Sequence, residues 1–487
     1  MGTRNRAGDF YYRVKRNGTA VITGYNFPAS AKNLNIAVPI TIGGYPVTEI
    51  GESAFSVSYS YDNRKQYQNV SIYLPNGITS IGNFAFRGLD ITELNIPDSV
   101  EEIGYGILFG YSWFDSKSIT LNISVNHPRF ALIDGLLYNK QQKKLIASTT
   151  NELDSIAIPE GIVSIGDYAL SNTKMKDVAF PDTLKEIGNH AFEGAAFNAS
   201  TVANFPSFIN VQTVGSYAFY NTETMSCDIT FCSLEEIGEA AFSGDDFLTT
   251  FSVCFENCPI TIVSDNAFDT PRSDITTYRT RTLEITMLNF SEIDDPESLD
   301  SLYSFFSIPR SIISIGKSNY CLGAHFISLE DFPPYLTSIP ESLCPAVNSL
   351  PNTVKRIESK AYINPNNKDD KRTDFYLPSS LEYIAEDAFA TGSTFIVEPD
   401  SYALRWCKDN GFGYNIYVEN QDLDWRNFYF PPQQNRGGTF IVFRPGFRLS
   451  RCYCFTLSMT SSVTSRSMYS PSGMSSLPVR SVMPGTR

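Results

Sequence analysis

The sequence predicts a right-handed coil of stacked turns, with a parallel β-sheet on one face and turns and short helices on the other. Three observations predict it: a six-residue phrase that returns through most of the chain, a step of 22 or 23 residues between neighbouring copies, and a second phrase of alternating apolar residues closed by proline. The first phrase is Ile, Gly, two variable residues, Ala, Phe. It reads Ile50-Gly51-Glu52-Ser53-Ala54-Phe55, and returns from Ile81 to Phe86, Ile187 to Phe192 and Ile237 to Phe242. Looser copies begin at Ile165, Val214, Val263 and Ile384, and degenerate ones at Ile103, Ile315, Ile339 and Ile357. Steps of 22, 22 and 23 residues separate 81 from 103, 165 from 187 and 214 from 237.

The second phrase precedes the first. Leu94-Asn95-Ile96-Pro97 is its clearest copy, joined by Ile72-Tyr73-Leu74-Pro75, Ile156-Ala157-Ile158-Pro159, Val178-Ala179-Phe180-Pro181 and Phe375-Tyr376-Leu377-Pro378. Alternation of period two is that of a strand with one buried face. Proline has no N–H to give to a ladder, so it ends the strand at the same point in each unit. Val100 with Ile103, and Leu184 with Ile187, turn inward again, Gly104 and Gly188 permit a tight corner, and Ala191-Phe192 fits a short turn or helical segment. A unit of about 22 residues has too little apolar surface to fold alone and gains stability by stacking on its neighbours. The product is a leucine-rich-repeat solenoid.

The unit L-x-I-P-x-x-V-x-x-I-G-x-x-A-F, read from Leu94 to Ile103 and from Val178 to Phe192, resembles the BspA-like class of leucine-rich repeats over roughly Asp9 to Val418. Asn126-His127-Pro128-Arg129-Phe130 through Asp134-Gly135 and Asn139-Lys140 to Leu145-Ile146 is similar to the hairpin-bearing repeat of that class, and Asp-Gly and Asn-Lys corners suit tight turns. Residues 10–25 resemble its N-terminal cap. Ser401 to Gly411 reads as a short amphipathic helix stopped by Gly411, with Tyr414 to Val418 as a closing strand. The expected organisation is an N-terminal cap and first strands over 9–48, and repeats over 49–398. Within them lie the hairpin-bearing repeat at about 119–150 and a diverged stretch at about 269–305. A C-terminal cap spans 399–418. The resemblance implies a surface-associated or secreted protein of the kind found in bacteria and protozoa, linked with adhesion to host proteins or other cells.

Composition supports this class and narrows function. At 487 residues the chain exceeds the single-domain prior of about 150 severalfold, which fits several domains or one elongated array. With 42% hydrophobic residues it is neither collagen, coiled coil nor mostly disordered. A formal charge of −14 argues against an electrostatic grip on nucleic acid. Twenty-seven tyrosines and 35 phenylalanines against three histidines suit strands and recognition better than proton transfer. No apolar run is long enough for a transmembrane helix. The basic start, Met1 to Arg6, leads into no apolar segment, so no signal peptide is expected, and Arg6 occupies the position where myristoylation wants Ser or Thr. Nine cysteines without a C-x-x-C pair read as free or buried thiols rather than a metal site.

The pattern breaks in three places. Residues 58–68 form a tyrosine-rich polar insertion, expected as a loop. Between Phe268 and Ile315 the phrase lapses around an acidic cluster (Glu292, Asp294, Asp295, Glu297, Asp300), either a diverged pair of coils or a surface insertion. From 425 onward there are eight Arg, no Lys and no acid, which reads either as a disordered tail or as a stretch outside the native frame.

Motifs for chemistry do not survive inspection. Ile315-Gly316-Lys317-Ser318 resembles the end of a phosphate-binding loop, but Ser311 stands where that loop needs glycine. Gly411-Phe412-Gly413 has Ile416 where a dinucleotide fingerprint needs its third glycine. Leu350-Pro351-Asn352-Thr353-Val354 lacks the glycine of a sortase signal. His127, His190 and His325 lie far apart, His190 at a variable repeat position that reads as solvated surface. Asp245-Asp246 reads as a solvated loop pair. No catalytic residue, cofactor or metal ligand is assigned. What remains is the outward face of the strands, where Tyr73, Asn95, Ala157, Ala179 and Tyr376 are the candidate protein-binding positions, with the two tyrosines as anchors.

The function expected is therefore a non-catalytic protein-binding solenoid at the cell surface or secreted, with extracellular matrix or other surface proteins as partners. The alternative is an intracellular scaffold using the same face on cytosolic partners, which free thiols and the lack of a leader would suit. An enzyme would need a catalytic domain that 425–487 cannot supply. Sequons at Asn17, Asn69, Asn122, Asn198 and Asn289 matter only in a eukaryotic secretory pathway.

Overall fold

The computed structural model describes residues 5–417 except 29–30, 58–66, 110–117, 202–205, 225–228, 245–249, 257, 269–281, 289–309, 320–325, 327–328 and 364–370. Most of the insertion at 58–68, the acidic cluster at 292–300, Asp245-Asp246, His325, Asn289 and everything from 425 onward fall outside the described residues.

The repeats form a β-solenoid of about 13 turns, mostly of parallel strands. After the first, which follows Tyr45–Ile50, the described copies of the Ile-Gly phrase enter through two-residue strands. Ser164–Ile165, Glu186–Ile187, Thr213–Val214, Glu236–Ile237, Ile262–Val263 and Ser314–Ile315 pair in succession, each inward Ile or Val opposite the next. The proline-closed phrase makes a second set of ladders. Asn35–Ala37, Val70–Tyr73, Ile91–Ile96 and Thr120–Ile123 form one, and Phe375–Leu377, Thr394–Val397 and Gly413–Ile416 another. At Ile156 and Val178 the regular strands lie a few residues earlier, at Glu152–Asp154 and Lys174–Lys176. There Ser155 and Asp177 take left-handed φ of 53° and 52°, which interrupts the ladder and leaves Ala157 and Ala179 in an isolated bridge.

Of the two readings of the Ala-Phe segment, turn or helix, the structure shows the turn, and the described repeats contain one short 3-10 helix, Leu329–Asp331. The variable residue before alanine is left-handed in copy after copy, at Phe84, Tyr168, His190, Tyr217, Ala240 and Asn266, with φ between 51° and 61°. That conformation costs a non-glycine residue roughly 1–2 kcal/mol. Lateral hydrogen bonds offset it, because the freed N–H reaches the next turn: Tyr168 N donates to Asn189 O at 3.0 Å, His190 N to Ser216 O at 2.9 Å and Tyr217 N to Glu239 O at 2.7 Å. The Phe two residues on repeats the bond, as in Phe192 N to Ala218 O at 2.7 Å. A continued helix would have satisfied those N–H groups within its own turn and left neighbouring turns unlinked.

The glycine also differs from expectation. Gly188, Gly215 and Gly238 have no positive φ, so they do not serve a tight corner. They serve close approach. A Cβ on Gly238 would sit 2.5 Å from Gly215 C and Ser216 N, and one on Gly215 would sit 2.7 Å from Gly188 C and Asn189 N. Inside, the phrase's phenylalanines stack turn on turn. Ring centroids are 5.0 Å apart for Phe192–Phe219, 5.3 Å for Phe219–Phe242 and 5.5 Å for Phe242–Phe268, all with nearly parallel planes. A second column, Phe208, Phe231 and Phe255, meets the first edge to face.

The hairpin-bearing repeat divides the core. Phe130–Ile133, Leu136–Asn139 and Lys144–Ser148 run antiparallel, with Asp134 and Gly135 at φ of 50° and 77° as a tight two-residue turn requires. Both faces of its middle strand, Leu136–Asn139, are buried. Leu137 and Ile146 join the core cluster of the N-terminal turns, and Leu136, Tyr138 and Leu145 join the cluster that continues to Cys407. At the start, antiparallel strands Asn5–Ala7, Phe10–Val14 and Ala20–Tyr25 lead into the parallel strand Tyr45–Ile50. At the far end the helix Tyr402–Asn410 is capped by Ser401, whose hydroxyl accepts from Leu404 N at 3.1 Å, and stops at left-handed Gly411. Trp406 stacks on Phe412 at 4.9 Å, and the strand Gly413–Ile416 closes the array.

Gly238→Ala is expected to destabilise the protein by about 1–3 kcal/mol, the usual cost of overpacking, read as a lower urea midpoint with unchanged slope; an unchanged midpoint would contradict backbone-to-backbone stacking. Tyr362 takes the place of a phrase phenylalanine, wholly buried against Phe389 and Phe375, and its hydroxyl has no hydrogen-bond partner among the described residues. Tyr362→Phe is therefore expected to hold or raise the midpoint, and a clear drop would mean that the hydroxyl is bonded.

Candidate binding faces

Side chains that face outward on the two ladders are the groups available to a partner. On the proline-closed ladder, Tyr73 and Asn95 are neighbours in register, since Ile72 pairs with Leu94. Tyr73 is 61% exposed and presents its ring to solvent. Asn95 is only half exposed and its amide is occupied: Oδ1 accepts from Leu74 N at 2.7 Å while Nδ2 donates to Leu74 O at 2.8 Å. Ala157 and Ala179 are exposed and adjacent to each other across their bridge. Tyr376 lies on the last ladder. Its hydroxyl donates to the Glu398 carboxylate, which this bond holds below its usual range, and its ring meets Tyr417 at 5.7 Å. Of the five positions, the structure thus brings together Tyr73 with Asn95 and Ala157 with Ala179, places Tyr376 apart, and gives Asn95 and Tyr376 structural bonds.

The short-strand ladder carries a second face that the sequence reading did not single out. Its outward positions change from turn to turn (Lys144, Glu186, Thr213, Glu236 and Ile262, with Ser164 in the same register but buried) while the residue after each stays Ile, Val or Leu. Beside them runs the glycine row, and beyond it Asp167, Asn189 and Ser216. Between the two side-chain rows lies a groove of about 360 Å³. By contrast, the cleft by the hairpin repeat, between Gly106–Phe109 and Tyr168–Thr173, holds about 40 Å³, room for a few waters only.

Residues that link turns form a second set that sequence reading missed. Asp167 Oδ1 accepts from Asn189 N at 3.0 Å, Asn189 Oδ1 from Ser216 N at 2.8 Å, and Asp265 Oδ1 from Lys317 N at 3.0 Å. Two residues after the proline, Ser99, Thr183 and Ser380 donate their hydroxyls back to Ile78, Ile162 and Val354 carbonyls of the preceding turn at 2.7–2.9 Å. The signal was present as recurrent Asn or Asp after the glycine and Ser or Thr before the next apolar residue. The Gly316-Lys317-Ser318 segment belongs to this pattern, with Ser318 in the left-handed position.

His190, expected as solvated surface, is half-buried in an aromatic column that follows the left-handed positions. It lies parallel to Tyr168 at 4.4 Å and to Tyr217 at 5.0 Å, and one ring nitrogen meets Glu193 at 2.8 Å. Burial, with Glu193 adding to it, pushes the Tyr168 phenol up to about 12. His127 is buried in the hairpin-bearing repeat, where Nδ1 accepts from the N–H of Arg129 at 3.1 Å and of Phe130 at 3.2 Å. The proton therefore sits on Nε2, which donates to Pro97 O at 3.1 Å. This explains the motif Asn126 to Phe130 as a structural joint. The described residues contain no group of three or more side chains suited to a metal ion and no helix long and apolar enough to cross a membrane.

Cys232, Cys258 and Cys407 are free thiols. Burial pushes both Cys258 and Cys407 up to about 12. Each is thus more acidic unfolded, near 8.5, than folded. Their contribution to stability is full below that value and is lost as pH rises toward about 12. At pH 8 iodoacetamide is expected to leave Cys258 and Cys407 unmodified in the native protein and to label both in urea; mass spectrometry that found native labelling would contradict their burial.

Comparison with known protein families matches residues 48–129 and 147–274 to the BspA type leucine rich repeat region, in six copies. No curated protein matches the sequence. Among solved structures the chain is similar to a leucine-rich repeat protein from Eubacterium ventriosum, at 15% identity over 74% of this chain and 93% of that one, with a TM-score of 0.36. It is similar to a leucine rich cell surface protein from Faecalibacterium prausnitzii at 16% identity, covering 83% and 96%, with a TM-score of 0.28. The pneumococcal vaccine antigen PcpA is matched at 15% identity, covering 86% and 100%, with a TM-score of 0.24.

Proposed function

The repeats of this chain belong to the BspA-type leucine-rich repeat family, and from that we propose a non-catalytic protein that binds other proteins through the outward faces of its solenoid, at the cell surface or secreted. The observation that carries the reading is the division of labour within each turn. Inward positions are held to Ile, Val, Leu and Phe by packing, whereas outward positions one residue away run through Ser, Glu, Thr, Lys and Ile along a rigid ladder. Such a scaffold holds many unlike side chains at fixed spacing with little loss of entropy on binding. Tyr73 supplies an exposed aromatic anchor on it. Surface or secreted placement, and adhesion to matrix or neighbouring-cell proteins, follow from the family resemblance.

A second reading, an intracellular scaffold, is favoured by the free buried thiols Cys258 and Cys407, which suit a reducing compartment. Protease shaving of intact source cells separates the two. Repeat peptides are expected in the fraction released before lysis; their appearance only after lysis would replace the surface reading with the intracellular one.

A further inference from the structure

The groove beside the short-strand ladder has a shape and charge that specify an occupant. Gly188, Gly215 and Gly238 place no side chain over three successive turns, because close stacking forbids a Cβ there. The groove extends from the strand bearing Lys144 to the strand bearing Ile262, which are five ladder spacings apart. At about 4.8 Å per spacing that is roughly 24 Å. An extended chain rising about 3.3 Å per residue spans the same distance with about seven residues. The charged lining is Asp167, Glu186 and Glu236 against Lys144 alone, with Lys144 at one end. The wider molecule reinforces the sign. Eight of the chain's 38 basic residues lie in 425–487, where no acid occurs, so residues 1–424 carry all 52 acids against 30 basic residues.

We propose that this groove takes an extended Lys- or Arg-bearing segment, about seven residues long, of a partner protein. The proposal rests on the protein-binding reading and names the partner's chemistry. The floor is backbone already bonded between turns, so specificity resides in the two walls. Glu186 and Glu236, two turns apart on one wall, meet the cations, and polar Thr213 and Asn189 meet the peptide between them.

The test is fluorescence anisotropy of the full chain with a dye-labelled octapeptide of alternating Gly and Lys, its Gly-Glu counterpart and an uncharged Gly-Ser one. Binding of the Gly-Lys peptide alone is expected, weakening at least tenfold in E186Q/E236Q and falling with salt. E101Q/E102Q removes the same charge outside the groove, at the edge of the separate sheet that ends in Glu102–Ile103, and is expected to change the affinity less than twofold. Thermal melts confirm that both variants keep the fold. Equal binding of the three peptides, equal loss in both variants, or no binding of the Gly-Lys peptide would overturn the proposal. Displacement by a neutral cello-oligosaccharide would overturn it too, assigning the groove to glycans. None of these results touches the surface reading, which the shaving experiment decides.

Discussion

Everything in this fold depends on the separation of successive turns. Parallel strands fix it at about 4.8 Å, and each part of the repeat is a way of reaching that distance without leaving a polar group unpaired. At Gly188, Gly215 and Gly238 the glycine after the inward Ile or Val leaves out a Cβ that would clash with the turn before. Asn or Asp after the glycine accepts an N–H from the next turn, and the left-handed residue beyond it turns its own N–H outward to the next carbonyl. The stacked phenylalanines, 5.0–5.5 Å apart, show the same spacing in the core. Buried backbone groups thus find partners between turns rather than within them.

That constraint also decides where the sequence of the solenoid is free to vary. Positions fixed by the stacking are inward or backbone, so variation is confined to outward side chains whose spacing the ladder sets. The hairpin-bearing repeat is the exception that the array tolerates. It splits the core into two clusters yet buries both faces of its middle strand, and buried His127 ties its entry to Pro97.

The parts legible in the sequence were those in which packing alone decides. The Ile-Gly-x-x-Ala-Phe period announced the inward column, Asp134-Gly135 announced the hairpin turn, and Ser401 with Gly411 announced the helix ends. What escaped was lateral. Ala191-Phe192 fits a short turn or a helical segment, and what decides for the turn is the neighbouring turn, which competes for N–H groups that a helix would bond within itself. Gly188 looked like a corner because glycine's freedom of φ is its commonest use, whereas here only its missing Cβ matters. Alternation identifies outward positions but not their bonds. Tyr73 is available, whereas Asn95 spends both ends of its amide on Leu74. His190 was placed outside because its position varies, while the ring columns that bury it form only once turns are stacked.

Native-state hydrogen exchange tests the central claim, turn-to-turn bonding through the left-handed corner, most directly. The amides of His190, Phe192, Tyr217 and Phe219 donate only to the neighbouring turn. The account predicts that they exchange as slowly as the inward ladder amides of Ile187 and Val214, opening only when the array does. Exchange at the rate of exposed turns, while the ladder amides stay protected, would contradict it.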